Sequence, residues 1–111
     1  MYNKWKIEFV NTKAEEELLS LSADLKAKFL YVTEMIIALG PHNIGLPHLR
    51  PMENKLWEMR LKGKDNIARS IYVMASGRRI VILRTFIKKT QKMHSNELKV
   101  AYTRLREVKD D

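Results

Sequence analysis

The chain has no cysteine, so it can hold neither a disulfide framework nor a thiolate metal site, and it suits a reducing compartment. Its apolar residues come in short interrupted runs, never the stretch of about 18 that a membrane span requires. Met1 to Lys6 lacks the apolar segment and small-residue cleavage site of a secretory signal, so the expected location is cytoplasmic, with no membrane partner. Neither kind of Gly-rich phosphate loop occurs, and no Ser-His-Asp signature is present. Three histidines, His42, His48 and His94, stand without ligand spacing, so no metal site and no cofactor is expected. His42 and His48 each follow a proline and read as exposed loop residues.

What remains is a chain of 111 residues, 45% hydrophobic and 31% charged, enough for one packed domain spanning 1–111. Its formal charge of +8 is unevenly placed. Lys55 to Lys92 holds eleven basic residues against Glu58 and Asp65, a net +9, while the rest sums to −1. A solvated basic face would account for some excess. Its concentration in one third of the chain favours a polyanionic partner, nucleic acid above all.

Trp5, Ile7 and Phe9 alternate with Lys4, Lys6 and Glu8, the period of a half-buried strand. Thr12 and Glu15 fit a capping box opening a short helix through about Leu21. Ser22 reads as a second N-cap, followed by an apolar stripe at Leu25, Phe29, Val32, Ile36 and Leu39. Gly40-Pro41 ends that helix, the glycine supplying a left-handed cap. A loop with Pro41, Pro47 and Pro51 spans residues 41–53. A strand follows with Trp57, Met59 and Leu61 inward and Glu58, Arg60 and Lys62 outward. The turns Gly63–Asn66 and Ser76-Gly77 separate it from strands at Ile67–Ala75 and Arg79–Lys88, an antiparallel meander. Ser95 opens a last helix with Leu98, Ala101, Leu105 and Val108 on one side. The order β-α-α-β-β-β-α predicts an α+β fold: an N-terminal strand and helical hairpin on a twisted, mainly antiparallel sheet with a C-terminal helix, one sheet face staying open.

Two arginines stand out on these strands. Arg69 shares a side with Ile67, Ile71 and Val73, and Arg84 is expected to share one with Ile80, Ile82 and Phe86. A guanidinium in an apolar row needs an anion. Glu53, Glu58 or Glu97 could supply it internally, or a phosphate held by the guanidinium fork could supply it from outside. Phe86-Ile87-Lys88-Lys89-Thr90-Gln91-Lys92 then sets three ammonium groups at a strand end, either solvated or gripping a phosphate backbone. His94 beside them is a candidate general acid or base.

Leu56-Trp57-Glu58-Met59-Arg60, then Ile67-Ala68-Arg69-Ser70-Ile71-Tyr72, then Phe86 to Lys92 resemble, in this order, the HigB branch of the RelE-like toxins, and Glu97, Ala101 and Arg104 suit its last helix. The resemblance covers almost the whole chain, and Lys-Lys-Thr-x-Lys is its most specific part. It implies the toxin of a type II toxin–antitoxin pair, an endoribonuclease that cuts messenger RNA on the translating ribosome without a metal. In such an enzyme the 2′-hydroxyl attacks the adjacent phosphate. Carried over by position, Arg60 and Arg69 would polarise the scissile phosphate, with Lys89 and His94 completing the catalytic set. Lys62, Arg84, Lys88 and Lys92 would bind the RNA backbone. The proton-transfer role stays open between His94 and Tyr102. The implied partners are the ribosome with its message and a helix-turn-helix, HigA-like antitoxin, operator DNA being met only through that complex. The alternative reading is a non-catalytic basic module binding nucleic acid through its phosphates.

Overall fold

The computed structural model describes residues 4–89 and 95–110. Strand β1 (Lys6–Phe9) leads into helices α1 (Thr12–Leu19) and α2 (Ala23–Leu39). A 3-10 turn at Pro41–Asn43 follows, then β2 (Leu49–Pro51), β3 (Trp57–Lys62), β4 (Ile67–Ala75), β5 (Arg79–Ile87) and helix α3 (Ser95–Leu105). The five strands form one mixed sheet in the order β1-β5-β4-β3-β2. β1 runs parallel to β5, and the other neighbours are antiparallel. The α+β class and the β3–β4–β5 meander follow the sequence expectation.

Helix α2 buries its stripe from Leu25 to Ile36 against one sheet face, while Leu39, expected to continue it, is exposed at the helix end. Leu25, Phe29, Val32 and Ile36 meet Met59, Leu61, Ala68, Tyr72, Ile80 and Ile82 there. Burial of each such side chain stabilises the fold by roughly 1.5–3 kcal/mol before entropic costs. Gly40 closes α2 with its N–H on the Ile36 carbonyl at 2.8 Å. Its φ of 81° suits glycine as expected, but its ψ of 148° lies outside the left-handed helical region, because the chain must swing directly into Pro41.

Four expectations need correction. First, Asn11 rather than Thr12 caps α1: its carboxamide oxygen accepts the Ala14 N–H at 2.9 Å. Second, the loop expected at 41–53 contains a strand, β2, which pairs Leu49, Arg50 and Pro51 with Met59, Glu58 and Trp57. Third, the sheet face opposite α2 is not open along its length. Leu98, Ala101, Leu105 and Val108 pack there with Ile71, Val73, Val81, Leu83 and Phe86, forming a second core. The remaining exposed part lies toward β3.

The fourth correction concerns Arg84. Register runs Ile71 to Arg84 but Tyr72 to Ile82, so Leu83 is the extra residue of a bulge. One extra residue moves every later side chain to the other face. Ile80 and Ile82 therefore belong to the α2 core, while Leu83 and Phe86 belong to the α3 core.

Candidate functional site

Strand register builds the site. Arg60 on β3 and Arg69 on β4 are direct cross-strand partners, so two cations stand side by side on one face. Like charges in that position repel unless an anion lies between or beside them. One such anion is Glu58, two residues back on β3. It is opposite Arg50 of β2 and diagonal to Arg69. One Glu58 oxygen pairs with Arg50 at 3.3 Å and the other with Arg69 Nη1 at 3.1 Å. Past the end of β5, the Lys88 N–H bonds the Ile67 carbonyl at 2.7 Å, which keeps Lys88 in register beside this group.

Together these residues line a cleft of about 430 Å³, with Leu46 and Pro47 forming an apolar lip. Leu46 is 76% exposed. Four cations, Arg50, Arg60, Arg69 and Lys88, meet one carboxylate there. Glu58 is only 3% exposed and Arg69 only 6%. The Arg69–Glu58 contact has the distance of an ion pair without the alignment of a hydrogen bond. Glu58 Oε2 and Arg69 Nε accordingly lack hydrogen-bond partners among the described residues. Arg60 makes no ion pair among those residues. Lys88 is held below the usual lysine range by partial desolvation and then by the charges of Arg69 and Arg60, with Glu58 pulling the other way. Among the described residues the cleft is thus cationic, part-buried and lined by one carboxylate, a setting that suits a phosphate.

A larger hollow of about 500 Å³ lies beside Trp5, Ile37 and Gly40. It takes in none of the arginines or lysines that the sequence nominated, so its size does not make it the site.

Residues 16–106 match the family described as Phage derived protein Gp49-like. The chain belongs to it. This Gp49-like family is part of the RelE/ParE-like toxin superfamily of toxin–antitoxin systems, so a cognate antitoxin is the implied partner. No curated protein matches the chain.

In this Gp49-like chain the nominated residues separate into groups. Arg60, Arg69 and Lys88 converge on the cleft. Lys89 is exposed and does not line it. Lys62 lies with Lys28, Tyr31 and Lys64 along a shallow depression beside α2. Arg84 is drawn elsewhere: it donates to Glu97 on α3 at 2.7 Å and to Glu17 on α1. Glu17 also receives both terminal nitrogens of Arg104, each at 2.8 Å. Arg84 therefore belongs to a cluster joining α1, β5 and α3. Lys92 and His94 lie outside the described residues. Tyr102 is held by Glu53 at 2.6 Å and Asn54 at 2.7 Å, and it does not line the cleft.

Sequence reading missed Arg50, because β2 is too short to show a period and its loop setting hid the pairing with Glu58. His48 was expected to be exposed. It is half-buried against the Tyr31 ring, and burial, then Lys28, lowers its pKa. No helix among the described residues is long and apolar enough to cross a membrane, and no three His, Cys, Asp or Glu side chains cluster there.

Proposed function

We propose that this Gp49-like toxin is an endoribonuclease of the HigB kind that cuts messenger RNA on the ribosome without a metal, and that the Arg60–Arg69 cleft is where it cuts. The observation that carries the reading is the cross-strand Arg60–Arg69 pair, with Lys88 beside it: among the described residues the three arginines lining the cleft, Arg50, Arg60 and Arg69, meet one buried carboxylate. A phosphodiester fits that deficit. Arg60 and Arg69 hold its non-bridging oxygens and stabilise the charge that grows as the 2′-oxygen attacks phosphorus. The P–O5′ bond breaks, leaving a 2′,3′-cyclic phosphate on one fragment and a 5′-hydroxyl on the other. The 2′-hydroxyl proton passes to a base, and the departing 5′-oxygen takes up a proton. We assign the latter to Lys88, which lines the cleft with Arg60 and Arg69 and gives up its proton more readily than an ordinary lysine. Lys62 and Lys89 extend the basic track beyond the cut, and the RNA-binding role given to Lys92 rests on the sequence alone. The antitoxin partner is of the helix-turn-helix, HigA-like kind, and the protein acts in the cytoplasm.

The test is a reconstituted translation reaction on a defined message, with cut sites and end chemistry mapped. The reading expects cuts only on programmed ribosomes, 2′,3′-cyclic ends, and full protection by a single 2′-deoxy nucleotide at the cut position. Because ribosomes need magnesium, different divalent ions are compared at fixed ribosome integrity. RNA binding without any cut would instead make the chain a non-catalytic phosphate-binding module.

A further inference from the structure

Glu58 is out of place in a cleft meant for an anion. A carboxylate repels phosphate, and removing it would raise the charge of the lining. Yet it sits on β3 between Arg50 and Arg69 and is almost wholly buried, so it contributes nothing to solvation. Its two oxygens each face a different arginine, at 3.3 and 3.1 Å. Arg50 is anchored from β2 and Arg69 from β4, so the one side chain ties the head groups of three adjacent strands together. Arg69 Nη1 faces Glu58 at ion-pair distance without hydrogen-bond alignment, and the buried Arg69 Nε has no hydrogen-bond partner among the described residues. A guanidinium drawn toward a buried carboxylate by charge alone is oriented, not saturated.

We propose that Glu58 is a positioning residue, a buried carboxylate that holds Arg50 and Arg69 converged on the cleft so that an RNA phosphate meets donors already in place. The proposal rests on the reading of the cleft as the site of RNA cleavage. Such preorganisation favours the transition state more than the bound substrate, because the cost of orienting the donors falls on folding and not on reaction. Without Glu58 the arginines would still attract RNA, and more strongly, but would splay apart.

The test compares the wild-type protein with Glu58→Gln, which keeps shape and loses charge, and Glu58→Asp, which keeps charge and shortens reach. Three quantities are read: circular dichroism for fold, affinity for programmed ribosomes carrying a 2′-deoxy nucleotide at the cut position, and the single-turnover cleavage rate at saturation. The expected result for folded E58Q is a rate at least tenfold lower with affinity unchanged or tighter, and partial recovery in E58D. A merely structural defect would weaken both quantities together. A folded E58Q cutting within threefold of wild type overturns the proposal, as does a rate loss matched by an equal loss of affinity.

A separate readout needs no activity: the titration of Lys88 followed by its side-chain carbon resonance. The charged groups that face it include Arg69 on β4, Arg60 and Glu58 on β3, and Arg50 on β2. Loss of Glu58 removes a group that favours its charged form, so the midpoint moves down in E58Q and stays nearer wild type in E58D. An unmoved midpoint shows that Glu58 does not hold its charge in the cleft and overturns the proposal. If E58Q does not fold, E58D decides alone: a rate within threefold of wild type overturns the proposal, and a greater loss with retained affinity supports it. Should the wild-type protein cut no RNA, the cleavage reading fails while the Lys88 midpoints still decide whether Glu58 sets the charge of the cleft.

Discussion

Replacing Arg69 by methionine separates what the cleft does from what it costs. The Arg69 side chain is 8% exposed and faces that of Glu58, which is 4% exposed. Removing one member of a buried pair costs about 3–5 kcal/mol, because the survivor is left charged and desolvated. Here Glu58 keeps Arg50, whose side chain is 54% exposed and can follow it, so the loss for Arg69→Met falls at about 2–3 kcal/mol. In a chain of this size that lowers the melting temperature by about 8–12 °C. Changing Glu58 to methionine as well removes the stranded charge, and the double variant should return to within about 1 kcal/mol of wild type. Function follows a different rule. Loss of one transition-state donor costs roughly 10²–10³ in rate, and no second substitution restores it. Urea melts give the first quantity and single-turnover cleavage the second. A double variant that melts as low as the single one refutes the stranded-carboxylate argument. A folded Arg69→Met protein that cuts at the wild-type rate refutes the assignment of the cleft.

Other predictions follow from the same geometry. Burial alone would raise the Glu17 pKa, but hydrogen bonds from Arg104 and the Thr85 N–H, with the Arg84 charge, outweigh it and hold the carboxyl below its usual value. A depressed folded-state pKa contributes stability above the unfolded value that is lost as pH falls toward the folded one. Urea midpoints followed from about pH 6 to about pH 3 should fall in the wild type and be flatter in Glu17→Gln. Arg84→Ala should lower the melting temperature yet leave the salt dependence of RNA binding unchanged, whereas Lys88→Ala should leave stability alone and reduce the log–log salt slope by about one; filter binding across a salt series checks both. Gly63→Ala should destabilise by about 1–3 kcal/mol in urea melts, since a Cβ there would lie 2.6 Å from Asp24 Oδ2 and 2.8 Å from Leu25 Cδ2.

The sequence by itself determined the elements whose signal is local. The stripe from Leu25 to Ile36 specifies a helix with one buried face, Gly40-Pro41 ends it, and β-branched runs between short turns specify β4 and β5. It also placed Arg60 and Arg69 on neighbouring strands of a meander, because a short turn leaves few registers to choose from. Tertiary structure alone decided the rest. Whether β1 joins the sheet parallel or antiparallel depends on where a helical hairpin returns the chain. The three residues of β2 acquire a strand conformation only by pairing with β3, and that pairing brings Arg50 to Glu58. The Leu83 bulge exchanges the faces of Ile82 and Phe86, since a period of two carries no mark of an inserted residue. Two arginines that look alike in their strands thereby part company. Arg84 is captured by Glu17 and Glu97 from two helices distant in sequence, while Arg69 keeps one buried N–H without a partner among the described residues, beside a cleft of like charge. Their difference lies in which carboxylates the packing delivers, and packing is a property of the assembled layers, not of either strand.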